Sequence, residues 1–138
     1  MQKMNNSTTA LFGEKFTRAV NKIFAKITNS YDFKTQSKYG ISQKSYPSLD
    51  IENLTIQEAE VIYYRDFWPT QPYEQINSID IAEKVFELAV ESGTETAHIP
   101  LQRALRFVGN PEQENGNLDK VTIIAINSAN PKRTISCI

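Results

Sequence analysis

Four stretches of this chain repeat their apolar residues with the 3.6-residue period of an α-helix, and that periodicity limits its fold more than any single motif. In the first, Phe12, Phe16, Ala19, Val20, Ile23, Phe24 and Ile27 share one face. Glu14, Lys15, Arg18, Lys22 and Lys26 fall on the other, with Glu14 and Arg18 at the spacing of a supporting ion pair. The second opens on Thr55 followed by Glu58, a capping box, and buries Ile56, Ala59, Ile62, Tyr63 and Phe67 before stopping near Trp68-Pro69. Ser78 can cap the third, whose stripe is Ile79, Ala82, Val85, Phe86, Ala89 and Val90, with Gly93 as its stop. Thr94 begins the fourth, with Ala97, Leu101, Ala104, Leu105 and Val108 facing inward and Pro100 expected in its first turns, where a missing N–H costs least.

Between these helices the signals are weaker. Thr28 to Gly40 is rich in short polar side chains that compete for backbone hydrogen bonds, and reads as a loop or irregular hairpin. A short helix is expected over Ile41 to Tyr46, ended by Pro47, and Asn110 to Asn117 reads as a polar turn. The β-branched run Val121 to Ile126 fits a buried strand or a buried helix by periodicity alone. A lone strand among helices would lack a ladder partner, which favours helix. The expected fold class is all-α: a single domain over 12–130, preceded by a flexible segment at 1–11 and followed by a tail at 131–138.

A chain of 138 residues can bury roughly two thirds of the surface its unfolded form exposes, enough for one core. Fifteen basic residues against sixteen acidic ones give a net charge of -1, so no overall field draws it to nucleic acid or an anionic membrane. Cys137 is the only cysteine, which excludes an intrachain disulfide and suits a reducing cytoplasm. Met1 to Ala10 lacks the apolar run of a secretory signal and no stretch is long enough to span a membrane, so a cytoplasmic location is expected. His98 is the only histidine, no Gly-rich phosphate loop is present, and no cofactor or metal is expected.

Several strings, in order, resemble a bacterial and phage N-acetylmuramidase family, lysozyme-like glycoside hydrolases once called putative secretion activators. They are Lys38-Tyr39-Gly40-Ile41-Ser42, then Tyr46-Pro47 with Leu49-Asp50-Ile51 and Asn53-Leu54-Thr55, then Tyr63-Tyr64-Arg65-Asp66-Phe67-Trp68. Ile81 to Phe86 with Leu88-Ala89-Val90, Leu101 to Leu105, and Ala125-Ile126-Asn127 follow, so the resemblance runs from about residue 16 to residue 130. It implies a mostly helical lysozyme-like domain, a helix at Val121 to Ile126, peptidoglycan glycan as ligand, and a phage or prophage source.

The same resemblance exposes a gap in the chemistry. Family members carry Glu-Gly-Gly-Tyr at the end of the first helix, and aligning on Tyr31 puts Thr28, Asn29 and Ser30 in place of Glu-Gly-Gly. The loop that follows is several residues shorter, and Ser37 replaces the family's Thr. Breaking a glycosidic bond requires a carboxylic acid to protonate the leaving oxygen. A threonine hydroxyl does not titrate near neutral pH, so the exchange alone removes a factor of about 10²–10⁴ in rate. Glu14 lies roughly 20 Å up the helix axis from Thr28 and cannot reach the same site. Asp32 and Glu91 are the nearer substitutes, each with an ordinary alternative: a loop Asp bonded to its own backbone, and a solvated helix-end charge.

Tyr31, Ser37 and Tyr39 are the expected ligand contacts. Tyr46, Tyr64, Trp68 and Tyr73 could also stack on sugar rings, although Trp68 and Tyr63 sit where core side chains are expected. The reading from sequence is therefore a lysozyme-like muramidase homologue without hydrolase activity that keeps a glycan cleft. The alternatives are a phage or mobile-element protein that binds and inhibits a host protein through the same scaffold, and an active muramidase with a displaced acid.

Overall fold

The computed structural model describes residues 12–27, 30–110 and 112–138; the segment at 1–11, Thr28, Asn29 and Pro111 lie outside the described residues. Six α-helices occur among the described residues: α1 (Glu14–Lys26), α2 (Ile56–Asp66), α3 (Ile79–Ser92), α4 (Thr94–Phe107), α5 (Lys120–Ser128) and α6 (Pro131–Cys137). Short 3₁₀ turns at Ile51–Asn53, Trp68–Thr70 and Tyr73–Gln75 link them, and one hairpin, β1 (Ser37–Lys38) with β2 (Ile41–Ser42), interrupts an otherwise all-α architecture.

The apolar stripes face one core. Phe16, Ala19, Val20 and Ile23 of α1 are buried against α3 and α2. Phe16, Trp68, Tyr73 and Phe86 meet edge to face or tilted, with Trp68 and Phe86 ring centres 5.1 Å apart and Phe16 and Trp68 5.5 Å apart. Trp68 is thus core, and Tyr73, named as a sugar contact from sequence, is buried with it and cannot stack on a ligand.

The polar side of α1 also packs on α3. Arg18 Nε bonds Glu83 Oε2 at 3.0 Å and lies 3.8 Å from Asp80, and Lys26 is clamped between Glu87 and Glu91. The partners of Arg18 therefore lie across the helix interface and not at Glu14, because Glu83 is held in the interface and offers a less hydrated partner.

The start and stop signals act as expected at three helices. At α2, Thr55 Oγ1 accepts the Glu58 N–H at 3.1 Å while the Glu58 carboxylate accepts the Thr55 N–H at 2.9 Å. Ser78 caps α3 by accepting the Ile81 N–H, and Gly93, at φ 93°, separates α3 from α4. Pro100 falls in the second turn of α4, among the first turns as expected but past the free N–H groups, so α4 forgoes a bond to the Thr96 carbonyl.

Buried polar side chains of α4 bond the turn that follows it. His98 Nδ1 bonds the Gly116 carbonyl at 2.8 Å and its Nε2 meets the Tyr73 hydroxyl at 2.9 Å. Gln102, fully buried, donates to Asn117 O and accepts the Gly116 N–H, each at 2.9 Å. This network fixes the polar turn before α5 to the side of α4.

Val121 to Ile126 lies within α5, capped by Asp119 accepting the Thr122 N–H at 2.9 Å. Asn127 at its end accepts the Asn77 N–H at 2.8 Å and donates to Gln75 O at 3.0 Å, tying α5 to the loop before α3. Within 131–138, set apart as a tail in the sequence, Pro131–Cys137 form α6. Asn130 caps it, Thr134 is fully buried, and the helix packs on α3 and α4.

The segment Ile41 to Tyr46 is not helical. Ile41 and Ser42 are a strand paired with Lys38 and Ser37. Tyr39 and Gly40 both take positive φ, 54° and 78°, as a type I′ two-residue turn requires, and that turn returns the chain as a hairpin before a helix can nucleate.

Candidate functional site

Where α1 ends, the chain runs into the hairpin, and the two enclose a small groove of about 230 Å³. Ile27 extends away from α1, with its N–H turned back to Phe24 O at 3.4 Å. Asp32 and Ser37 then exchange backbone bonds of 2.8 and 3.2 Å, which places their side chains on the same face. Ser30, Asp32, Ser37, Lys38, Tyr39 and Gly40 line the groove together with Ile27.

The hairpin is held from beneath. The Tyr63 hydroxyl, on α2, donates to the Tyr39 carbonyl at 2.8 Å, and the Tyr39 ring meets Phe24 edge to face at 5.8 Å. Burial pushes the Tyr63 phenol well above the ordinary tyrosine value, so it remains a donor at any physiological pH. A Cβ on Gly40 would overlap the Tyr63 hydroxyl, so the turn needs glycine for close approach as well as for φ. Lys38 Nζ donates to Glu52 O at 3.2 Å and sits 5.5 Å from the centre of the Tyr39 ring, directing a cation along the groove wall. Behind the hairpin the Tyr46 hydroxyl donates to Asp66 Oδ2 at 2.7 Å. Desolvation, helped by that carboxylate, raises the Tyr46 phenol to about 12. Arg65 grips Asp66 with two bonds of 2.7 and 2.9 Å and, with Tyr46, holds its carboxyl down at about 2.

The structure brings three of the residues singled out from sequence, Asp32, Ser37 and Tyr39, into one groove. Asp32 Oδ1 accepts the backbone N–H groups of Lys34 and Thr35 at 2.9 and 3.4 Å, the loop-capping use that an Asx turn makes of such a side chain. Ser37 shares a 2.6 Å bond with Thr35. Tyr31 is half-buried beside the groove with its ring edge-on to Phe33 at 4.8 Å and does not line it. Glu91 lies 3.3 Å from Lys26 at the exposed end of α3, also outside the groove lining. Among the described residues of the groove, Asp32 is the single carboxylate.

Sequence reasoning passed over Lys38 and Gly40 as site residues, although both stand in the Lys-Tyr-Gly string. A Gly following a residue that must itself turn left-handed is the signal that could have flagged the hairpin. Among the described residues no group of three or more His, Cys, Asp or Glu gathers in a metal-binding arrangement, and no helix is long and apolar enough to cross a membrane.

Residues 27–93, which run from the end of α1 through α3, match the family model described as glycosyl hydrolase 108. The match is narrower than the span of resembling strings and leaves Leu101 to Leu105 and Ala125 to Asn127 outside it. No curated protein matches the chain.

Proposed function

We propose that this chain, whose residues 27–93 match the glycosyl hydrolase 108 family model, is a lysozyme-like homologue that binds peptidoglycan glycan in the hairpin groove without hydrolysing it. The observation that carries this reading is the state of the acids. Thr28 stands in the sequence at the family's glutamate position, and the groove's carboxylate, Asp32, is engaged by two backbone N–H groups. Glycoside hydrolysis works with a pair of carboxyl groups flanking the scissile bond. One engaged carboxylate supports binding and not acid catalysis.

The remaining groove chemistry suits a sugar. Ser30, Ser37 and Tyr39 offer hydroxyls, Lys38 offers donors, and the half-buried Tyr39 ring gives an apolar edge. Co-sedimentation with purified peptidoglycan, combined with an assay for released reducing ends, tests the proposal. The expected result is binding that weakens in a Ser37→Ala, Lys38→Ala double variant, with no release of reducing ends. Turnover abolished by Asp32→Ala or Glu91→Ala would overturn it in favour of a displaced acid. Failure to sediment with peptidoglycan would overturn the glycan ligand itself.

A further inference from the structure

A larger cavity, about 410 Å³, lies at the other end of α1, between α2 and the two 3₁₀ turns that follow it. Tyr64, Pro69 and Pro72 supply apolar surface, and Gln71, Glu74 and Gln75 supply polar groups. The loop that forms it is set before any ligand arrives. Trp68, Tyr73 and Ile76 are buried anchors beneath it, Thr70 Oγ1 donates to Phe67 O at 2.7 Å, and Asn127 holds Gln75 O. Lys15 donates to Glu74 O at 2.9 Å and its ammonium stands 3.8 Å from the Glu74 carboxylate. About 18 Å of helix, from Lys15 to Ile27, separates this cavity from the hairpin groove.

We infer that this cavity is a second, separate binding site for a neutral saccharide such as an N-acetylhexosamine. Its composition sets the ligand class. One carboxylate and two carboxamides line a concavity that also has apolar walls, which matches a ring whose hydroxyls point outward and whose C–H face is apolar. Among the described residues no cation lines the cavity, and Lys15 offsets Glu74 from outside it, so an anionic ligand such as phosphate finds no partner among them. Two saccharide sites on one rigid helix would hold one glycan strand by two points and raise its effective concentration at each. The inference does not depend on the hairpin groove being a glycan site.

The protein carries its own reporter. Trp68 is the only tryptophan, it borders the cavity, and its indole N–H donates to Glu74 Oε1 at 3.3 Å. A ligand that takes Glu74 Oε1 from the indole is expected to change Trp68 emission. Titration of the full chain with triacetylchitotriose is expected to give a saturable change with a Kd of about 1 mM or tighter. Glu74→Ala and Gln71→Ala should each weaken it about tenfold. Far-UV circular dichroism and melting of each variant establish that it is folded, and Glu74→Gln, which keeps an acceptor for the indole, should retain most of the emission of the free protein yet bind more weakly. Emission flat to about 10 mM sugar would overturn the inference. So would a response that persists unchanged in the Gln71→Ala and Glu74→Gln variants, or one abolished by Asp32→Ala, which would assign the sugar to the hairpin.

Discussion

Substituting Gly40 by alanine tests how the groove is held, and the structure allows the cost to be worked in parts. Gly40 has φ 78°, and a left-handed alanine costs about 1–2 kcal/mol. Its new Cβ would overlap the Tyr63 hydroxyl, which is buried and donating to Tyr39 O, so the overlap cannot be relieved by swinging a flexible chain end into solvent. Overpacking of that kind costs about 1–3 kcal/mol more. Gly40→Ala should then destabilise the fold by roughly 2–5 kcal/mol.

The Tyr63→Phe background separates the two terms. With the hydroxyl removed, the nearest ring atom to the new Cβ is Tyr63 Cζ at 3.8 Å, an ordinary contact, and only the backbone strain remains. Alanine at position 40 should cost about 1–2 kcal/mol in that background, so the two substitutions couple by about 1–3 kcal/mol. Urea unfolding of the four proteins, followed by circular dichroism, measures the cycle. Additive costs would refute the overlap argument, and a Gly40→Ala cost below about 0.5 kcal/mol would refute the hairpin geometry itself.

Three further outcomes are expected. Burial lowers the His98 pKa below its ordinary 6.5, so the unfolded chain binds this proton more readily than the folded one. His98 therefore lends stability above about pH 6.5 that is lost as pH falls; melting temperature should drop from pH 7 to pH 5.5, and a His98→Gln variant should show a shallower drop. Thr55→Ala removes one half of the capping box and should cost about 1 kcal/mol in a denaturant titration, with Thr55→Ser close to neutral. Asp66→Asn removes the carboxylate that supports the raised Tyr46 phenol but not the burial that dominates it, so ultraviolet titration should show the Tyr46 pKa falling from about 12 only part of the way towards 10.

Helix boundaries were readable because they rest on local chemistry. Thr55 with Glu58, Ser78 and Gly93 each act on backbone groups within a few residues of themselves. The Val121 to Ile126 run was ambiguous by period and was decided by what else the chain contains. Ile41 to Tyr46 was misread because the turn that governs it depends on left-handed φ at a tyrosine, which Tyr63, 24 residues away, stabilises through a hydrogen bond. The same limit applies to α6, whose seven residues are too short to be stable alone and are helical because Thr134 is buried against α3 and α4. That Asp32, Ser37 and Tyr39 share one groove follows from the short loop and hairpin motif they adjoin. The place of Glu91 was not legible in this way, since only the fold reveals that its charge is directed at Lys26.

The clamp from Asn127 to Gln75 and Asn77, and the bond from His98 to Tyr73, have a consequence for how such a chain can be divided. The family match closes at residue 93, yet both linkages cross that point and satisfy polar groups that a cut there would orphan. A boundary of recognisable ancestry is here not a boundary of autonomous folding. A gene fusion or truncation made at residue 93 would inherit the family's signature together with a loop that has lost its moorings, so any module transplanted from this protein has to carry the helices through residue 138 with it.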